Sequence, residues 1–198
     1  MSKKPADHSP LSEEQIRVHT LGKLQPFSEK VLIVDYDPAW PDLFRREAER
    51  VRKKLGPRAL QIEHTGSTSV PDLAAKPIID MLLVVKDSAD ENAYVPDLER
   101  AGYTLRIREP AWHEHRMLKG SVTDTNLHVF SSACPEIARI LLFRDWLRGN
   151  AADRELYART KLALAQRDWK CVQNYADAKT GVIEEVLRRA RRLRGIDS

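Results

Sequence analysis

An aspartate inside an apolar segment is the most informative residue of this sequence. Asp80 lies in the run 78–85, whose remaining seven residues are all apolar. An ionised carboxylate in such a segment costs several kcal/mol unless a cation or hydrogen-bond donors face it. The candidates are a metal ion, Lys76, a histidine or backbone amides. Alternatively, Asp80 closes a strand end and pairs with Lys76 or Arg116.

A turn of small residues precedes this aspartate. Its sequence is Gly66, Ser67, Thr68 and Ser69, and Asp80 follows Ser67 by 13 positions. This length of chain fits a strand, a turn, a short helix and a return strand, which bring the amides of the turn close to the carboxylate. The amides could then bind an anion and the carboxylate a cation. The combination indicates a site for a phosphate and a metal ion, although a Gly-Ser pair alone is also typical of a tight turn.

Histidines are concentrated in the same part of the chain. The candidates are His64, His113, His115 and His128. Alternate spacing places His113 and His115 on one side of a predicted strand, where imidazoles bind a metal ion or a phosphate. Each ring has an alternative interpretation as a buried or surface histidine with ordinary hydrogen bonds. With Asp80, these four residues are the candidate metal ligands.

Two tyrosine and lysine pairs share one spacing. Tyr157 precedes Lys161 by four positions, and Tyr175 precedes Lys179 by four. Residues at this spacing lie on one face of a helix, so each pair could present a hydroxyl and an ammonium group to a phosphate. The alternative is amphipathic packing in which the lysine extends along apolar surface to water.

Charge and composition narrow the functional classes. The 198 residues carry a net charge of +4, and residues 150–198 contain 11 Lys+Arg against 7 Asp+Glu, so the whole excess lies there. The arginines at 188–194 are typical of a solvated helix end, where cations complement the helix dipole. No aromatic residue in the sequence lies among them to stack on a base, so we do not expect nucleic acid as a partner. Two cysteines 37 positions apart and the absence of a long apolar segment predict a cytoplasmic protein without a membrane partner.

Hydrophobic patterning predicts the elements that position these residues. A helix is expected at 38–55, strands at 60–64, 78–85, 103–107, 112–119 and 125–130, and helices after residue 135. The predicted organisation is an N-terminal arm (1–28), an α/β body (29–132) and a helical subdomain packed on it (133–198). The arm is expected to drape over the body or fray, and its His8 and His19 are not counted as candidates.

Four separated strings resemble the GrpB family. They are VDYDPAWP at 34–41, EHTGSTSVP at 63–71, LAAKPIID at 73–80 and NLHV at 126–129, and the resemblance extends from about residue 31 to residue 190. It implies a nucleotidyltransferase-like α+β fold, with a mixed β-sheet body and a C-terminal helical subdomain.

The resemblance also implies roles for individual residues. In the nucleotidyltransferase superfamily, a Gly-Ser turn precedes an Asp-x-Asp/Glu strand, a later strand supplies a third carboxylate, and the three acids hold two magnesium ions. Gly66 and Ser67 match the turn and Asp80 matches the first acid, whereas Leu82 and His128 occupy the other two positions. Asp80 and His128 are therefore the candidate catalytic residues, with Mg²⁺ or Mn²⁺ as the expected cofactor.

Two functional hypotheses follow. The first is an enzyme that binds a nucleotide or another phosphorylated small molecule and transfers a nucleotidyl group to an acceptor. The second is a non-catalytic ligand-binding or accessory module, since two acids are missing and the family resembles a domain appended to some dephospho-coenzyme A kinases. An RNA-binding role through the terminal arginines is weaker because the body is neutral. The candidate phosphate-binding residues are Gly66, Ser67, Thr68, Ser69, Lys76, Arg116, Lys119, Tyr175 and Lys179.

Overall fold

A five-stranded mixed sheet lies at the centre of the molecule. The computed structural model describes residues 13–22, 31–169 and 172–195. The strands run in the order β1-β2-β5-β4-β3, with β2 and β5 parallel and every other neighbouring pair antiparallel. Their bounds are β1 (Gln61–Thr65), β2 (Ile79–Val85), β3 (Tyr103–Glu109), β4 (His115–Gly120) and β5 (Thr125–Ser131). The predicted α+β class and mixed sheet are confirmed.

Helices precede, interrupt and follow the strands. They are α1 (Glu13–His19), α2 (Trp40–Leu55), α3 (Val95–Glu99), α4 (Pro135–Gly149), α5 (Ala151–Ala165), α6 (Val172–Ala178) and α7 (Thr180–Arg194). Short 3₁₀ turns occupy Gly56–Arg58, Ser67–Ser69 and Glu91–Ala93. Among the described residues, none of these helices combines the length and the apolar character needed to span a bilayer.

One face of the sheet forms the main hydrophobic core. Because successive side chains of a strand point to opposite faces, alternate residues of the central strands are directed to the same side. On this side, strand residues pack against α2 and α3 through Val51, Leu55, Met81, Leu83, Val85, Leu98, Leu127 and Val129. These contacts fix the position of the sheet relative to α2 and α3.

The opposite face carries a smaller apolar cluster and the candidate site. Leu82, Val84 and Phe130 pack against Ile137 and Ile140 of α4. The C-terminal helices pack on one another through a separate cluster that includes Leu147, Tyr157 and Val186. They cover only part of the sheet, and a cavity lies between them and the remaining strand residues.

The structure differs from the predicted strand at 112–119. Residues 110–114 form turns, in which His113 and Glu114 have φ values of 57° and 50°, and β4 begins only at His115. His113 is exposed while His115 is 3% exposed. The expectation that His113 and His115 share one side of a strand is therefore wrong, because the left-handed turn ends the alternation between them.

The described part of the N-terminal arm packs on the sheet. Thr20 forms an isolated bridge with Ile107 of β3, and the Leu21 amide donates to the Arg106 carbonyl at 2.7 Å. The His19 ring contacts the Arg108 carbonyl at 3.3 Å. These contacts place α1 over the edge of the cavity. His8 lies outside the described residues.

Candidate functional site

A cavity of about 400 Å³ lies between the sheet and the helices α1, α4, α5, α6 and α7. Its apolar wall includes Ile107, Trp112, Phe130, Ile140, Phe143, Leu147 and Ile183. Its polar lining includes Thr65, Ser67, Asp80, Glu109, His115, His128, Arg139, Arg144 and Lys179. This volume is within the range of small-molecule sites, and a mostly apolar wall with a few convergent polar groups is typical of them.

The structure brings the small-residue turn into contact with Asp80. Gly66 has a φ of +65°, and a Cβ atom built on it would lie 2.3 Å from Asp80 Oδ2. Only glycine fits this position, because other residues disfavour a positive φ and their Cβ atom would overlap the carboxylate of Asp80. Ser67 lines the cavity beside it.

Thr68 and Ser69 have structural roles in this turn. The Thr68 hydroxyl donates to the Ile78 carbonyl at 3.2 Å, and the Ser69 hydroxyl donates to the Gly66 carbonyl at 2.6 Å. Both residues are buried, and neither lines the cavity. Their expected place among the phosphate-binding groups is corrected accordingly, because their hydroxyls are engaged in closing the turn.

Asp80 is half-buried, accepts a hydrogen bond from Asn126 and is acted on by the charges of three lysines. Asn126 Nδ2 donates to Asp80 Oδ1 at 2.9 Å, and Lys119 Nζ donates to Asn126 Oδ1 at 3.0 Å. Burial raises the pKa of Asp80, while the Asn126 hydrogen bond and the charges of Lys179, Lys119 and Lys76 act in the opposite direction. The positive charges expected near Asp80 are therefore those of Lys76, Lys119 and Lys179.

Arg116 does not belong to this group. It follows His115 on β4 and therefore points to the other face of the sheet. There its guanidinium pairs with Glu91 at 2.5 Å and with Glu114 at 3.2 Å. This placement corrects the expectation that Arg116 faces Asp80 or a phosphate beside it.

His64 also points away from the cavity. Its ring stacks on Phe44 of α2 with centroids 4.8 Å apart, and its Nε2 lies 3.1 Å from the Thr68 hydroxyl. Burial, together with the charges of Arg148 and Arg144, lowers the pKa of His64 to about 4. His64 is thus a neutral core ring, and its expected role as a metal ligand beside Asp80 is corrected.

His115 and His128 form a hydrogen-bonded chain that starts at Glu109. Glu109 Oε2 lies 2.7 Å from His115 Nδ1, and His115 Nε2 lies 3.0 Å from His128 Nδ1. Trp112 and Phe130 pack against the His115 ring. Burial lowers the pKa of His128 to about 3, with His115 and the charge of Lys119 acting in the same direction.

The residues present do not fit the two-metal site that the resemblance implies. Asp80 is its only matching carboxylate, and Leu82, at the second acid position, is 0% exposed in an apolar cluster. His128, at the third position, is already bonded to His115. Divalent magnesium prefers oxygen ligands, whereas the charged groups that act on Asp80 are three lysines. Across residues 13–22, 31–169 and 172–195, no group of three or more His, Cys, Asp or Glu residues is arranged to hold a metal ion.

The first tyrosine and lysine pair lies behind the turn. Tyr157 lines the cavity and hydrogen-bonds to Ser67, and burial raises its pKa to about 12. Lys161 is 2% exposed, with its Nζ atom 4.9 Å from the centre of the Tyr157 ring and bonded to the Ala74 carbonyl. Burial and the charge of Lys179 lower the pKa of Lys161 to about 7.

The second pair divides between the cavity and the core. Lys179 lines the cavity, with its Nζ atom 4.6 Å from the centre of the Tyr175 ring. Tyr175 is 2% exposed and packs with Leu164 and Trp169, so it supports Lys179 and does not line the cavity itself. Burial lowers the pKa of Lys179, although Asp80 and Asp177 act in the opposite direction.

Several lining residues were not found from the sequence. Arg144 donates to Glu63 Oε2 at 2.8 Å and to the His64 carbonyl at 3.0 Å, which ties α4 to β1. Glu109 and His19 also line the cavity. Only Arg144 carried a signal, since it lies in the string FRDWL at 143–147 within the region of the family resemblance.

Comparisons with known proteins agree with the fold and the motifs. The chain is 57% identical over 188 residues to UPF0157 protein BH1888 of Halalkalibacterium halodurans, covering 95% of this chain and 96% of that protein. It is also 29% identical to a dephospho-CoA kinase of Mycolicibacterium paratuberculosis, over 87% of this chain and 49% of the kinase.

Solved structures give the same picture. The crystal structure of conserved protein GrpB from Enterococcus faecalis superposes with a TM-score of 0.69 and 34% identity, covering 80% of this chain and 98% of that one. The Cid1 poly(U) polymerase with Mg 3′-dATP bound superposes with a TM-score of 0.50 at 11% identity, covering 74% of this chain and 49% of that one, so this likeness concerns the fold alone. The nucleotidyltransferase-like fold is thereby confirmed. The family model described as GrpB protein matches residues 30–189, and the chain belongs to the GrpB family.

Proposed function

We propose that this protein binds a phosphorylated small molecule, in the first instance a nucleotide, in the cavity between the sheet and the C-terminal helices. The observation that carries the proposal is the lysine group beside the Gly66–Ser67 turn. Lys179 lines the cavity and Lys76 lies within electrostatic reach of both Lys179 and Asp80. Burial lowers the pKa of each lysine, and the charge of Asp80 only partly offsets this, so an additional anion would stabilise both ammonium groups.

The charges around Asp80 leave room for an anion. Lys119 pairs with Asp124 and bonds to Asn126, so it is already compensated. Asp80 acts on both Lys76 and Lys179, with Asp124 also acting on Lys76 and Asp177 on Lys179, whereas the charge that acts on Lys161 is that of Lys179. A phosphate at the turn would supply the missing negative charge and would be held by charge-assisted hydrogen bonds, which are the strongest that side chains make.

The remaining walls suit the organic part of a nucleotide. Trp112, Phe130 and Phe143 line the cavity with aromatic rings, on which a heterocyclic base can stack. His128 and Glu109 add hydrogen-bonding groups on the same side of the sheet. A cavity lined by both charged and aromatic groups matches the amphipathic character of a nucleotide.

A ligand-binding or accessory role is favoured over two-metal nucleotidyl transfer. The specific observation is the fully buried Leu82 in place of a second acid. The partial match to a dephospho-CoA kinase is consistent with a module that handles a nucleotide or a coenzyme A precursor. Transfer of a nucleotidyl group to an acceptor, with Mg²⁺ or Mn²⁺ at Asp80, is the competing hypothesis, and fold alone does not decide between them.

The test is isothermal titration calorimetry of the full chain with ATP, GTP, CTP, UTP and dephospho-CoA. Each ligand is titrated in EDTA, Mg²⁺ and Mn²⁺, with a parallel assay for turnover of labelled nucleotide. The variants are Lys179→Met, which removes one charge from the cavity, and Asp80→Asn, which removes the central carboxylate. Lys53→Met is the matched control, since Lys53 is exposed on α2 at the opposite face of the sheet.

The two hypotheses predict opposite effects of Asp80→Asn. With a lysine-based anion site, binding persists in EDTA, weakens about tenfold or more in Lys179→Met, is unchanged in Lys53→Met and becomes tighter in Asp80→Asn. With metal-dependent transfer, binding requires the divalent ion and Asp80→Asn abolishes it. Failure of every phosphorylated probe to bind would overturn the proposed function.

A further inference from the structure

The turn that joins β3 to β4 has an unusual backbone conformation. It is formed by residues 110–114. The His115 amide donates to the Trp112 carbonyl at 3.1 Å, which closes a four-residue turn with His113 and Glu114 at its centre. The φ values of these two central residues are 57° and 50°. Positive φ at both central positions is the pattern of a type I′ hairpin turn, which favours asparagine and glycine.

Histidine and glutamate are unfavourable residues for this conformation, because the Cβ atom of a left-handed residue crowds the backbone. Among the described residues, the other non-glycine residue with a positive φ is Asp72, at 63°. Arg116 Nη2 lies 3.2 Å from Glu114 Oε2 and holds one side of the turn, whereas His113 is exposed. Strained residues of this kind are concentrated at active sites and ligand-binding sites. The strained turn is therefore expected to position a functional group.

The group that the turn positions is the indole of Trp112, which lines the cavity. The Trp112 amide donates to the Glu109 carbonyl at 3.1 Å, so hydrogen bonds hold both its amide and its carbonyl. Its ring is nearly perpendicular to those of His115 and Phe130, with an interplanar angle of 78° in each case and centroids 5.2 and 5.7 Å away. These contacts fix the orientation of the indole. Trp112 is half-buried, so part of its side chain stays accessible from the cavity.

Trp112 is better suited to stack on a ligand than the other two aromatic rings of the wall. Phe130 is 1% exposed, and the His115 ring stacks on it with centroids 4.8 Å apart. Phe143 packs perpendicular to Tyr157 within the cluster that joins the C-terminal helices. An indole offers the largest stacking surface of the three, and every nucleobase has a flat face that can stack on it.

We infer that Trp112, held by the strained turn at His113 and Glu114, is the stacking platform of the cavity and that the ligand carries a heteroaromatic base. The inference rests on the proposed function for the phosphate. It deepens that function by naming the ligand class, a nucleotide and not a sugar phosphate. Trp112 is then a specificity-determining residue, and His113 is a positioning residue that acts through it.

The sheet gives the distance between the base and the phosphate of such a ligand. Asn126 of β5 bonds to Asp80. Phe130, which contacts Trp112, lies four residues further along β5 and on the same face. Four residues of a strand span roughly 13 Å, which leaves room for a sugar between a base at Trp112 and a phosphate beside Asp80.

The first test compares AMP with ribose 5-phosphate, which differ by the base alone. Both are titrated into the full chain by calorimetry, with Trp112→Leu and, for the competing ring, Phe143→Leu. AMP should bind the wild type roughly tenfold more tightly than ribose 5-phosphate. This preference should disappear in Trp112→Leu and persist in Phe143→Leu. The reverse pattern would overturn the inference, because it would make Phe143 the platform.

The outcomes separate the inference from the proposed function. Equal binding of AMP and ribose 5-phosphate to the wild type would refute stacking and leave the anion site intact. If neither these compounds nor ATP binds, the proposed function fails. Adenosine, which has no phosphate, then decides the inference by saturation-transfer NMR. Its binding to the wild type and not to Trp112→Leu would support the platform, and no binding to the wild type would refute it.

The second test changes the turn and leaves Trp112 in place. A β-branched residue strongly disfavours a positive φ, whereas glycine adopts it freely. His113→Val should therefore distort the turn and remove the preference for AMP. His113→Gly should keep the preference and raise the midpoint of thermal unfolding by roughly 2 °C.

Asp72→Val and Asp72→Gly are the matched controls. Asp72 is exposed, has a similar φ and does not line the cavity. These variants should shift the unfolding midpoint in the same directions as the His113 variants and leave the preference for AMP unchanged. Loss of the preference in both valine variants, or in neither, would show that the turn at His113 does not position Trp112.

Discussion

Replacement of Lys161 by methionine should remove a pH-dependent loss of stability. Lys161 is 2% exposed on α5, and its ammonium group has the Ala74 carbonyl and the Tyr157 ring as neighbours. In the described part of the chain no carboxylate pairs with it, and the nearby charge that acts on it is Lys179, of the same sign. These surroundings lower its pKa from 10.5 to about 7.

The magnitude and the sign follow from this pKa. Between pH 7 and pH 10.5 the unfolded chain keeps the proton of Lys161 while the folded protein releases it, so the free energy of unfolding rises with pH in this window. Each pH unit is worth about 1.4 kcal/mol, so Lys161 contributes an increase of about 2 kcal/mol between pH 7 and pH 9. Below pH 7 the penalty of the buried charge is fully present. Methionine is similar in size and carries no charge, and its loss of the Ala74 hydrogen bond costs about 1 kcal/mol at all pH values.

The assay is urea-induced unfolding of the wild type and Lys161→Met at pH 6, 7, 8 and 9, followed by circular dichroism. The stability of the wild type should rise by about 2 kcal/mol more between pH 7 and pH 9 than that of Lys161→Met. Lys179 gives a slope of the same sign in both proteins because its pKa is also lowered, so the difference between them reports the Lys161 charge together with its repulsion by Lys179. Lys53→Met, at an exposed position, should follow the wild type. Parallel curves for the wild type and Lys161→Met would refute the reasoning.

Three further substitutions test the core and the turn by the same unfolding assay. Gly66→Ala should lose at least about 2 kcal/mol, because its Cβ would overlap Asp80 and its φ is positive; a loss below about 0.5 kcal/mol would contradict the close approach. The stability of the wild type should fall by up to about 3 kcal/mol as the pH drops from 6.5 to 4, because the pKa of His64 is lowered to about 4, and His64→Gln should show a shallower fall. Tyr103→Phe should cost about 1 to 3 kcal/mol, because it removes the hydroxyl that donates to the buried Glu47 carboxylate; an unchanged midpoint would contradict that pairing.

Local sequence signals predicted the part of the site that depends on short stretches of chain. The apolar run around Asp80 predicted a covered strand, and β2 (Ile79–Val85) is the central partner of both β1 and β5. Ser67 and Asp80 are 13 positions apart, which is just enough for a turn and a return strand, so chain length alone restricts the distance between them. Both features are local, and both are found in the structure.

The side of the sheet was harder to predict than the strand itself. A change of one residue in a strand moves a side chain to the opposite face. In β1 and β4, His64 and Arg116 are both buried on the core side, but neither a histidine nor an arginine is a residue type that marks the core face of a strand. The histidine at 113 was misplaced for a related reason, because a left-handed turn follows no hydrophobic period.

The two tyrosine and lysine pairs show why local spacing could not define the rest of the site. Both have the same spacing, yet Lys161 is enclosed beneath a backbone carbonyl while Lys179 lines the cavity. The difference arises from how α5 and α7 pack on α4 and on Val70 and Leu73, and these contacts join residues that are far apart in the chain. A charged lysine that is enclosed without a carboxylate lowers the stability of the protein at neutral pH, as the Lys161 prediction states. The charge of a lysine at a cavity, in contrast, can be compensated by a bound anion. The same side chain at the same spacing therefore destabilises the protein in α5 and, in the proposed function, binds the ligand just before α7, and only the packing of the helices separates the two.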